Sequence, residues 1–148
     1  MTRKPPTPVR FDTDVAGRLA SFAASRLGLS LSAAANLLVD EGLRMAEHPG
    51  VVFRDGPTGR RAGLAGGPDV WEVVRAVKSA RTAEPDLAED DVLAVVVANT
   101  GVPLRSVRTA VSYWASYPAE IDAEIDAADH AESAAEEAWR RERDLLAR

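Results

Sequence analysis

The sequence predicts a mainly α-helical protein: a short strand and two helices that dimerise, then a small β-hairpin with a helix-turn-helix-like helical domain, then a long C-terminal helix. Three observations lead there. Apolar residues recur at three- and four-residue spacing over most of the chain, the signature of helices with one buried face. Period-two alternation is confined to two short stretches, near residue 9 and around residues 51–64. Glycine and proline punctuate the chain often up to Pro118 and are absent from 119 to 148.

The first alternating stretch is Thr7-Pro8-Val9-Arg10-Phe11-Asp12, with Val9 and Phe11 on one face and Pro8 and Arg10 on the other. Residues 1–6 read as a polar, proline-bearing arm. Asp12-Thr13-Asp14 supplies N-cap oxygens for a helix whose stripe is Val15, Leu19, Phe22, Ala23 and Leu27, and Gly28 stops it. Ser30-Leu31-Ser32 opens a second amphipathic helix through Ala35, Leu38, Val39 and Leu43 to about Met45.

His48-Pro49-Gly50 marks a boundary, giving expected modules of 1–46, 47–118 and 119–148. Val51-Val52-Phe53 and the run from Arg61 to Leu64 flank a turn at Asp55–Gly59, a hairpin pattern. Asp69 is a good N-cap for a helix from Val70 to about Ala80. A helix from about Glu89 to Asn99, a tight turn at Gly101 and a helix from Pro103 to Ser116 follow, with Pro103 suited to a first turn that needs no N–H. This outline resembles a helix-turn-helix, with Arg105 and Arg108 on one face of its second helix. Glu89, Asp90 and Asp91 beside it oppose a phosphate backbone, so packing is the expected role. Ala119 to Arg148, rich in Ala, Glu and Arg, predicts a long helix with a thin apolar stripe.

Charge is distributed unevenly. The chain has 148 residues and a net charge of -5, yet residues 1–46 and 47–81 each hold six basic against four acidic groups. Residues 82–118 hold two against five and residues 119–148 four against ten. A mildly basic front and an acidic rear fit a nucleic-acid end and a protein-partner end. There is no cysteine, and His48 and His130 lack ligand spacing, so thiolate catalysis and cysteine zinc sites are excluded. No paired histidine, nucleophile with base or phosphate loop is present; Gly63-Leu64-Ala65-Gly66-Gly67 lacks the lysine such a loop requires. No enzyme, cofactor or metal is expected. No run approaches the length of a membrane span and the start has no secretory pattern, so a cytoplasmic location is expected.

A six-residue strand buries almost nothing alone and leaves its backbone unpaired. Pairing with the same strand of a second copy gives a two-stranded antiparallel ribbon over a shared core, with Val9 and Phe11 inward. Pro8 has no N–H, so its face of the ribbon must be the one without hydrogen-bonded pairs. Pro8 and Arg10 then point outward together.

The run from Val9 to Met45, above all Val-Arg-Phe-Asp-Thr-Asp-Val and Gly28-Leu29-Ser30-Leu31-Ser32, resembles the ribbon-helix-helix repressors of the Arc, MetJ and CopG type. The resemblance implies a dimer whose ribbon lies in the DNA major groove, with Pro6, Pro8 and Arg10 in the base-facing positions. Two prolines there depart from the family pattern, leaving Arg10 for readout, where a guanidinium can bind both acceptors of a guanine. The start of the second helix suits a phosphate, with Ser30 and Ser32 adding hydroxyls. Arg3 and Lys4 add backbone contacts. Farther on, His48-Pro49-Gly50-Val51, Arg60-Arg61, Val107-Arg108-Thr109-Ala110, Tyr113-Trp114 and Pro118-Ala119-Glu120-Ile121-Asp122 resemble a small family of helical domains found in bacterial antitoxins. That likeness implies a toxin partner of PIN-like nuclease type. Ile121, Ile125, Trp139, Arg140, Arg141, Arg143 and Leu146 are the residues expected to bind it, an aromatic and arginine cluster on an amphipathic helix. Two other readings stand beside the antitoxin: a stand-alone repressor whose rear helices oligomerise, and an oligomeric scaffold that does not touch DNA.

Overall fold

A computed structural model describes residues 4–57 and 59–147. The chain forms two compact units that meet in sequence between Leu43 and Arg44. Among the described residues the secondary structure is six helices and one hairpin.

In the first unit, α1 (Thr13–Ala24) starts after Asp12, whose backbone is extended and whose side chain makes no capping bond. Asp14 in the first turn opposes the helix dipole favourably. Gly28, at φ +76°, takes the left-handed conformation that lets the chain reverse into α2 (Leu31–Glu47). Leu19, Ala23 and Ala34 are the buried apolar residues here, with Phe22, Leu29, Ala35 and Leu38 packed against them. Residues 4–12 carry neither helix nor strand and are exposed, so the strand expected at 7–12 is not formed in the single chain. Strand geometry needs a ladder partner, and among the described residues no other stretch pairs with residues 7–12.

The second unit begins inside α2, earlier than the boundary expected at residue 46, because the last turn of that helix is bound by side chains of the helical domain. The Arg44 guanidinium donates to the Tyr113 hydroxyl and to Glu120, both at 2.9 Å, and lies over the Tyr117 ring. Next comes the hairpin, β1 (Val51–Gly56) against β2 (Gly59–Leu64), with register running from Val51 opposite Leu64 to Gly56 opposite Gly59. Asp55 pairs with Arg60 and Gly56 with Gly59, so the ladder runs into the five residues expected as the turn.

Helix α3 (Val70–Ala83) has Asp69 at its N-cap position, and α4 (Glu89–Thr100) ends at Gly101, whose left-handed φ of 72° places its N–H on the Val97 carbonyl. Helix α5 (Leu104–Ser116) begins just after Pro103, which takes the N-cap position rather than the first turn. Helix α6 (Pro118–Leu146) begins with Pro118 itself, so this proline starts the helix that it was expected only to precede.

One core joins these elements: Val51, Ala62 and Leu64 of the hairpin, Val73 and Val96, Val107 and Tyr113, and Ile121 and Ile125. The 119–148 arm is accordingly continuous with the domain for its first turns. Beyond residue 128, residues 129–147 are exposed throughout. No helix among the described residues is long and apolar enough to cross a membrane.

Candidate functional site

Two surfaces carry the expected functional residues. On the first unit, Lys4, Pro8, Arg10, Ser30 and Ser32 are all exposed; Arg3 lies outside the described residues. Ser30 is the N-cap of α2, its Oγ accepting the Ala33 N–H at 3.1 Å while its carbonyl accepts the Ala34 N–H. The N–H groups of Leu31 and Ser32 then remain without helical acceptors, as geometry requires at the start of a helix. The Ser30 hydroxyl hydrogen is also available to an acceptor, because capping uses only its oxygen.

The apolar side of this unit is under-filled. Val9 is 67% exposed, Val39 55% and Leu43 58%, and Phe11, Val15 and Leu31 are exposed too. Phe11, Val15, Leu19, Phe22, Leu38 and Val39 line an open hollow of about 390 Å³. These are the positions whose spacing predicted a buried stripe. The helices form, but Val15, Leu27, Val39 and Leu43 of the stripe face outward, while Leu19, Phe22, Ala23, Ala35 and Leu38 pack together.

On the second unit the expected partner-binding set divides. Ile121 and Ile125 are 0% and 7% exposed and belong to the unit's own core, so they are unavailable to a partner. Their spacing of four residues is the same for a helix packed inward as for one presented outward, and α3 and α5 cover this face. Trp139 and Leu146 remain exposed, with Leu145 beside them. Arg140 pairs with Glu136 at 2.5 Å and Arg141 with Glu137 at 3.8 Å, each one helical turn away, and Arg143 lies over the Trp139 ring at 5.4 Å. Such exposed pairs contribute only about 0.3–0.5 kcal/mol each, so they yield readily to a better partner.

Sequence reasoning missed a charged cluster between hairpin and helices. Asp69, 5% exposed, accepts Arg54 at 3.0 Å and also pairs with Arg61, instead of capping α3 with its carboxylate. A second Arg54 nitrogen reaches the Gly67 carbonyl at 2.8 Å. Glu124 of α6 lies close by with one carboxylate oxygen buried and unpartnered. Burial, reinforced by Glu120 and Asp69 and only partly offset by Arg61, pushes its pKa up to about 7. Arg54 and Arg61, one on each strand and opposite each other in the ladder, were the sequence signal, and they gave no hint of which acid they meet.

Aromatic groups surround the Arg44 site. The Tyr113 hydroxyl donates to Glu120 at 3.0 Å, and burial raises its pKa despite the adjacent Arg44. His48 meets the Tyr113 ring edge-on at 5.3 Å. Across the helical domain, the Trp114 indole N–H donates to Asp122, which also pairs with Lys78 at 2.6 Å. Lys78 and then Trp114 hold the Asp122 carboxyl below its ordinary range. In the helix-turn-helix-like segment, Arg108 pairs with Asp90 at 3.2 Å, which fits packing between α4 and α5. No group of three or more His, Cys, Asp or Glu residues among those described is arranged to hold a metal.

These surfaces define an all-helical unit short of core and a helical domain bearing an exposed terminal helix. No protein-family model, curated protein or solved structure matches the chain.

Proposed function

We propose that the protein is a dimeric DNA-binding antitoxin of the ribbon-helix-helix type, reading operator DNA through its N-terminal ribbon and binding a nuclease-like toxin through its C-terminal helix. The observation that carries this reading is the unfinished core of the first unit. About 40 residues with three buried apolar side chains cannot offset their ordering entropy alone. A second copy covering Val9, Phe11, Val15 and Val39 completes the core and supplies the ladder that residues 7–12 lack. The ribbon so formed presents Arg10 outward from both copies. The two α2 starts flank it, each with two unpaired N–H groups and the Ser30 hydroxyl for a phosphate.

In the second unit the toxin-binding role falls to residues 131–147. Trp139, Leu145 and Leu146 form the apolar anchor there, with Arg140, Arg141 and Arg143 around it. A PIN-like nuclease offers a cluster of carboxylates that an arginine can enter. The stand-alone repressor is the second reading, supported by the burial of Ile121 and Ile125, which shortens the free part of α6 to its distal half.

Fluorescence anisotropy on the DNA upstream of the protein's own coding sequence tests the DNA role. The expected result is binding that weakens steeply with salt, with a logarithmic slope near -0.9 per phosphate contacted. Arg10→Ala should lose about 1–3 kcal/mol of preference for the upstream sequence while non-specific binding persists. Binding that is absent, or that has no salt dependence, favours the scaffold and removes the DNA role.

A further inference from the structure

The helical domain contains a groove that the DNA and toxin roles do not use. It lies between the C-terminal half of α3, the start of α4 and the outer face of α5, and its volume is about 690 Å³. That falls inside the range of roughly 300–1,000 Å³ typical of small-molecule sites. Val77, Val92, Val111 and Trp114 form most of its apolar wall. Trp114 is fixed there by its bond to Asp122.

The charged groups at the groove are three cations, Lys78, Arg81 and Arg108, against one carboxylate, Glu89. Two of the cations are already matched, Lys78 by Asp122 and Arg108 by Asp90. Arg81 differs. One of its guanidinium nitrogens donates to the backbone carbonyls of Pro85 at 3.2 Å and Leu87 at 2.7 Å, and among the described residues no carboxylate pairs with it. The loop between α3 and α4 thus holds Arg81 in place without neutralising it. Its remaining N–H donors suit a planar two-oxygen acceptor.

We propose that this groove binds a small apolar carboxylate, of the class of a medium-chain fatty acid, with the hydrocarbon against the valines and Trp114 and the carboxylate on Arg81. A fixed cation with no acidic partner at the mouth of an apolar cleft is complementary to such an anion. An uncharged alkyl chain would leave that charge unused. The groove and the N-terminal apolar hollow share no residue, so each can be tested while the other is intact.

The test is methyl-detected NMR of the full chain titrated with decanoate, decanol and decylammonium, all below their aggregation concentrations. Saturable shifts at Val77, Val92 and Val111, with decanoate at least fivefold tighter than decanol or decylammonium, support the assignment. Arg81→Gln, which keeps polar donors but removes the charge, should abolish the preference for decanoate over decanol. Ala115→Trp, at an exposed lining position, should block binding with little change in melting temperature. Shifts confined to Val15, Leu38 and Val39 would overturn the proposal, as would equal affinity for the three ligands. It would equally fall if a peptide of residues 133–147 perturbed the groove methyls while decanoate did not, since the groove would then be a helix-docking surface.

Discussion

Glu124→Gln should stabilise the helical domain at neutral and alkaline pH, and the gain should vanish in acid. In the native chain the Glu124 carboxyl rises from an ordinary value of 4.5 to about 7 because its surroundings are poor in water and hold Glu120 and Asp69. Between those two values the folded protein binds more protons than the unfolded chain. Stability contributed by this residue is therefore greatest below pH 4.5 and is lost as pH rises through 7. At 1.36 kcal/mol per pH unit the full rise corresponds to about 3.4 kcal/mol. The carboxyl is only half-buried, and solvent screening reduces the expected cost to about 1–2 kcal/mol. The assay is urea unfolding followed by tryptophan fluorescence at several pH values from 4.5 to 8.5. Trp71, Trp114 and Trp139 all lie in the second unit, so the signal reports on the domain that contains Glu124. The variant should match the native protein at pH 4.5 and exceed it by about 1–2 kcal/mol at pH 8. A difference that does not change with pH, or one in which the native protein gains stability as pH rises, refutes the reasoning.

Other perturbations separate the two units. Asp69→Ala should destabilise the helical domain by about 2–4 kcal/mol, because Arg54 and Arg61 lose a shared buried partner; urea midpoints would show it, and a loss under 0.5 kcal/mol would make the cluster incidental. Val39→Asp places a charge on the apolar face of the first unit and should convert a dimer to monomer by sedimentation, leaving the melting of the second unit unchanged. Truncation after Glu132 should preserve the fold while abolishing capture of a co-expressed toxin. Truncation after Pro118 should unfold the domain, since it removes Ile121 and Ile125 from the core. Equal melting of the two truncated chains would contradict that assignment.

Local signals located most of the secondary structure. Gly101 ended α4 because only a residue without Cβ enters the left-handed region cheaply, whereas α1 stops at Ala24, four residues before the Gly28 expected to end it, and Gly28 instead turns the chain toward α2. Ser30 opened α2 through a bond that the sequence pattern anticipates. The hairpin followed from alternation broken by glycine and proline. Nonlocal placement was less legible. Ile121 and Ile125 look alike in sequence whether they face a foreign protein or α3 and α5. Asp69 reads as an N-cap, and nothing local says that Arg54, fifteen positions earlier, claims its carboxylate. Nor does any spacing rule reveal that Arg81 sits at a groove, since that depends on where α4 and α5 come to rest. The strand at 7–12 is a different case. Its alternation predicts a strand that the single chain does not form, and the proposed pairing with a second copy would supply the missing ladder.

That pairing is most directly tested by isotope-filtered NMR on a dimer mixed from labelled and unlabelled chains. The account predicts inter-chain contacts between residues 7–11 of the two copies, in antiparallel register, with strand-like chemical shifts. A stable dimer in which residues 7–11 stay coiled and show no inter-chain contact, or in which they pair elsewhere in their own chain, would contradict it.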